Sequence, residues 1–160
     1  MQGWKRAGAI IAGLLAADAA GAQAQAEAAR SAAERRFCSE LRRTIRFAPD
    51  FEALQRNRAA PPRLGFRSGC RARSAIGRAP AAWWCHENLA PDFLAFGPLT
   101  ARIAACLPGA RRTSTGRPRE ALFELPGVRI RVNEHGGPRA HVGRIVDLRV
   151  EAAAQARRRR

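Results

Sequence analysis

Four cysteines, Cys38, Cys70, Cys85 and Cys106, constrain this chain more than any other feature. They are separated by 32, 15 and 21 positions and include no Cys-x-x-Cys pair. That spacing is poor for a structural zinc site. In an exported chain an even count implies disulfides instead, and four cysteines allow three connectivities. Reach favours the sequential pairing, Cys38–Cys70 with Cys85–Cys106: a strand leaving the first helix returns its far end to the helix start, and a second helix ends beside the strand before it. The rival joins Cys70 to Cys85 across a hairpin turning at Gly77-Arg78, and Cys38 to Cys106 between two helices.

Export is read from the start of the chain. Lys5 and Arg6 precede an uncharged, mostly apolar run from Ala7 to Ala17. Ala22-Gln23-Ala24 then supplies the small-x-small pattern of a signal-peptidase site. The apolar run is shorter than the roughly 20 residues a membrane span needs. No cysteine follows it to take a lipid. Residues 1–24 are therefore expected to be a signal peptide, leaving no transmembrane segment in the mature chain and a periplasmic or secreted location. Residues 25–151 remain as one domain, followed by a basic tail over 152–160.

Charge limits the partners. The chain carries 29 Lys and Arg against 13 Asp and Glu, a formal net charge of +16. Lys5 is the only lysine, and tyrosine is absent. An arginine excess of this kind follows from a GC-rich coding bias, yet the charge is physically present. It attracts polyanions, and salt weakens that attraction. The densest clusters are Arg111, Arg112, Arg117 and Arg119 in a polar stretch read as a loop, and the terminal run Arg157, Arg158, Arg159 and Arg160. Anionic envelope components such as lipopolysaccharide or anionic lipid fit this charge. Export takes the chain away from cellular nucleic acid, and the few aromatics make a poor stacking platform.

Periodicity predicts an α+β fold of two main helices on one largely antiparallel sheet of about five strands, in the order α-β-β-α-β-β-β. Phe37, Leu41 and Ile45 form the apolar stripe of a first helix over 31–47. Pro49 ends it, and Asp50 caps a short turn carrying Phe51 and Leu54. Leu64–Cys70 reads as a strand. Trp83 to Pro108 is the centre of the chain: a strand with Trp83 and Trp84 on opposite faces, a turn-rich link, and a helix from Pro98 with Leu99, Ile103 and Cys106 on one side. Ala121–Leu125, Val128–Glu134 and Val142–Glu151 alternate as strands. Setting Val132 opposite Val146 places Arg131 opposite Asp147, a favourable cross-strand pair.

Catalytic signatures are sparse. Gly65-Phe66-Arg67-Ser68-Gly69 has its serine one position late for a nucleophile elbow. There is no phosphate-cradling glycine motif, and no cofactor is expected. His135 and His141 flank a glycine-rich loop without a standard metal spacing. The leading expectation is a small exported, non-enzymatic binding or envelope-associated protein. A secreted hydrolase or redox enzyme using His86, His135, His141 or a free cysteine is the second. A cytosolic nucleic-acid-binding protein is the third, and it requires that the N-terminus not be a signal.

Overall fold

The computed structural model describes residues 8–57, 60–77, 79–136 and 143–153, with side chains from residue 23 onward. The chain divides into two compact units, Met1–Arg36 and Phe37–Arg160. Helix α1 (Gly8–Arg46) begins in the first and ends in the second. In the first unit, residues 23–36 are alanine-rich and exposed. No helix among the described residues is long and apolar enough to cross a membrane.

The second unit is α+β, with three helices and a six-stranded antiparallel sheet. From Phe37 onward α1 acquires an apolar face: Phe37, Leu41 and Thr44 are buried and Ile45 is half-buried. The Thr44 hydroxyl donates to the Glu40 carbonyl one turn back, 2.9 Å away, which lets a polar side chain sit at a core position. Helix α2 (Phe51–Arg56) starts where the Asp50 carboxylate accepts the Ala53 N–H at 3.0 Å. It buries Phe51 and Leu54. Helix α3 (Phe96–Cys106) has Pro98 in its first turn, where a missing N–H costs nothing. Leu99, Thr100, Ile103 and Cys106 face the core.

The strands are β1 (Cys70–Arg73), β2 (Ala82–Glu87), β3 (Arg111–Ser114), β4 (Glu120–Leu125), β5 (Val128–Gly136) and β6 (Arg144–Ala152). Their spatial order is β1-β2-β6-β5-β4-β3. Period-two alternation divides the sheet into two faces. Trp83, Cys85, Val146, Leu148, Val150, Ile130, Val132 and Phe123 point into one core with the helices. The opposite face bears Trp84, His86, Asp147, Arg149, Arg131 and Asn133, and no helix packs on it among the described residues.

Four expectations are corrected. The sheet has six strands, not five, because the stretch read as a basic loop contains β3, paired with β4 from Arg111↔Glu124 to Ser114↔Ala121. Residues 64–69 are consecutive turns, not a strand. Phe66 N–H bonds to the Arg63 carbonyl and Gly69 N–H to the Phe66 carbonyl, and Leu64 and Gly65 take φ of 52° and 80°. Leu64 and Phe66 are both buried, so an i, i+2 pattern arose without a strand. The β5–β6 register is displaced by two: Val132 faces Leu148, Arg131 faces Arg149, and Asn133 faces Asp147. An even shift keeps every side chain on its own face, so face alternation could not detect it.

The disulfide pairing is the fourth correction. The bridges are Cys38–Cys106 and Cys70–Cys85. Cys70 and Cys85 are register partners across β1 and β2, with Cα atoms 4.1 Å apart. Such a close approach is typical of a non-hydrogen-bonded antiparallel pair. Cys38 and Cys106 join α1 to α3 with Cα atoms 5.1 Å apart. The sequential pairing needed a strand over 64–70 running back along α1, and that segment turns instead.

Candidate anion-binding face

The site is built from the alternation of β2. With Trp83 fully buried, Trp84 must emerge on the uncovered face. Its register neighbours are Arg71 on β1 and Arg149 on β6. The guanidinium carbons of Arg71, Arg73 and Arg149 lie 4.7, 4.5 and 5.8 Å from the Trp84 ring centroid. Cation–π attraction holds the three side chains around one ring. None of the three makes an ion pair among the described residues.

Carboxylates on this face are engaged elsewhere. Asp147 Oδ1 accepts the Trp84 indole N–H at 2.8 Å and lies 2.9 Å from His86 Nδ1. His135 approaches Asp147 Oδ2 at 3.8 Å. The second His86 ring nitrogen is 2.9 Å from the Asn88 side-chain oxygen, so both nitrogens are occupied and neither faces a hydroxyl or thiol. Glu120, buried at the sheet surface, accepts from Arg131 at 2.6 Å. Burial acts to raise the Glu120 pKa, but the hydrogen bonds from Arg131 and Thr115 and the charges of Arg131 and Arg117 outweigh it. Its carboxyl is held below the ordinary value. A shallow hollow of about 550 Å³ runs beside these groups, lined by Arg117, Glu120, Arg131, His135, Asp147 and Arg149 among others.

The arginines singled out from sequence are placed differently from one another. Arg111 is paired with Glu124 across β3 and β4. Arg119 donates to the buried Glu134 at 2.7 Å, and Arg117 lies 3.9 Å from Glu120. Arg112 stands over the Phe123 ring at 5.8 Å. Three of these four cations are thus matched by carboxylates of their own sheet. Arg157, Arg158, Arg159 and Arg160 lie outside the described residues, as does His141. Among the described residues no group of three His, Cys, Asp or Glu is arranged to hold a metal ion, and all four cysteines are oxidised.

Arg71, Arg73 and Arg149 are not among the arginines singled out from the sequence. The usable signal was Cys-Arg-Ala-Arg beside Trp-Trp-Cys: pairing Cys70 with Cys85 puts both arginines on the face of Trp84. No protein family, characterised protein or solved structure matches this chain.

Proposed function

We propose that this protein is a small exported, non-enzymatic binding protein of the cell envelope. Its basic surface holds an anionic partner such as lipopolysaccharide or anionic lipid. Two disulfides fit an oxidising compartment outside the cytosol, and the N-terminal charge, apolar run and small-x-small pattern fit a signal peptide. The observation that carries the binding reading is the uncovered sheet face, where Arg71, Arg73 and Arg149 surround Trp84 without carboxylate partners among the described residues. Unpaired cations on a surface of net positive charge favour polyanions by long-range attraction.

The test is binding to lipopolysaccharide or to vesicles containing anionic lipid across a salt series. Affinity should fall steeply between low and high salt as the field is screened. Affinity that does not change with salt rejects electrostatic binding.

A further inference from the structure

We propose that the Arg71–Arg73–Arg149 cluster around Trp84 is a discrete site for a phosphate monoester group, rather than one part of a diffuse basic surface. The inference rests on the anionic-partner reading above and adds the ligand chemistry and the residues.

Three observations carry it. First, the three guanidiniums converge on one aromatic ring from two strands, β1 and β6, that flank the strand carrying the ring. The indole is itself fixed by its N–H bond to Asp147. The arginines are therefore held in place before any ligand arrives, which lowers the entropy cost of binding. Second, Arg149 is directly opposite Arg131 in the β5–β6 register. Like charges facing each other across a sheet are destabilising. Arg131 is neutralised by Glu120 at 2.6 Å and Glu151 at 3.8 Å. Arg149 has no carboxylate, although Asp147, which could have served, is given to Trp84 and His86. Third, most other arginines in and beside the sheet show the opposite habit. Arg111, Arg119 and Arg131 all have carboxylates across a strand or a turn. Arg112, at the far edge of the sheet, also lacks a carboxylate among the described residues, but it lies opposite Phe123 on the other face. On the face of Trp84 the unpaired strand arginines are Arg71, Arg73 and Arg149.

The ligand class follows from donor count and charge. A guanidinium presents a planar fork that binds two oxygens of one anion. A carboxylate has two oxygens and satisfies one such fork. A phosphate monoester has three terminal oxygens and close to two negative charges at neutral pH, so it can accept from more than one of these arginines at once. A phosphodiester offers only two terminal oxygens and one charge. Trp84 serves as the positioning residue, because its ring faces are taken up by the cations.

The experiment uses the mature chain and two probes. Inorganic phosphate is titrated at constant ionic strength against chloride, with tryptophan fluorescence as the readout. Vesicles bearing phosphatidic acid are compared with phosphatidylglycerol vesicles of equal surface charge. Saturable binding of phosphate is expected, together with preference for phosphatidic acid. The Arg71→Gln/Arg73→Gln variant should weaken both by about tenfold or more, while Arg111→Gln/Arg112→Gln leaves both unchanged. Arg149→Gln repeats the test without touching the edge strand, should the first variant melt early. Equal binding to both vesicles, with equal losses from either double substitution, overturns the site and leaves the broader envelope reading standing. In that case Arg71 and Arg73 only guard an exposed sheet edge. Phosphate binding with no vesicle binding at low salt upholds the site for a soluble phosphate monoester and overturns the envelope reading.

Discussion

Single carboxylates organise the irregular parts of this molecule. Glu87 projects from β2 to the buried face and is 5% exposed. Its Oε2 accepts the backbone N–H of Arg67 at 2.6 Å and of Ser68 at 3.1 Å, while Oε1 takes the Ser68 hydroxyl at 3.1 Å. Glu40 does the same for Arg63 and Leu64, and Glu134 for Phe96. These carboxylates satisfy backbone donors that no strand ladder reaches. Glu87→Ala leaves two such donors unpaired and should cost about 3 kcal/mol, read as a lower urea midpoint with unchanged slope. Glu87→Gln keeps one acceptor and should cost about half as much. Equal midpoints for the alanine variant and wild type would show that the turns hold themselves. At Glu120 the lowered folded-state pKa sets a pH dependence. A carboxylate of this kind adds stability above its unfolded value, near 4.5, and that contribution is lost as pH falls through the lower folded value. Wild type should therefore exceed Glu120→Gln in melting temperature at neutral pH, and the gap should close under acid. A gap that is constant with pH would assign the effect to packing.

At the scale of elements, the two bridges act at different ranges. Cys38–Cys106 closes a separation of 68 residues between α1 and α3, and Cys70–Cys85 one of 15 between neighbouring strands. In the chain-entropy account the longer loop contributes about 4–5 kcal/mol and the shorter about 3 kcal/mol. Cys38→Ser/Cys106→Ser should thus lower the melting temperature more than Cys70→Ser/Cys85→Ser. Non-reducing proteolysis should release one peptide pair holding Cys38 with Cys106 and another holding Cys70 with Cys85; any other pair contradicts the strand register. The β2 alternation makes a matching prediction. Trp83→Ala opens a cavity in the core and should cost about 4 kcal/mol. Trp84→Ala should cost less than half of that, because its ring meets side chains only on the uncovered face. The β4–β5 hairpin turns at Pro126-Gly127, where Gly127 takes φ 75°, so a side chain at that position would be strained.

Over the whole molecule, composition and architecture bear on different questions. A net charge of +16 describes what the surface attracts, not how the chain folds. The sheet decides where the charge is free, because carboxylates of β4 and β5 take up most of the arginine charge at one end and leave Trp84 among cations at the other. Protein recovered from its native host should have a mass beginning at Gln25, with no free thiol before reduction and four after. A full-length mass with four free thiols would overturn export and disulfides together. Much of the fold was legible. The apolar face of α1 from Phe37, the Asp50 cap, the Trp83/Trp84 alternation, α3 from its proline to Cys106 and the strands after Glu120 all follow from local period and turn chemistry. The candidate site was not legible, because Arg71 and Arg73 meet Trp84 only through the pairing of β1 with β2.

The amino-acid order by itself determined the class of fold, the faces of its regular elements, the even set of cysteines and the sign of the surface. Each depends on spacing within a few residues or on counting. Tertiary structure alone decided which cysteine meets which, the two-residue displacement of β5 against β6, the conversion of 64–69 into turns held by Glu40 and Glu87, and which arginines keep a free charge. These depend on groups far apart in the chain, and their energies are settled only when the sheet closes and brings carboxylate, guanidinium and indole within a few ångströms.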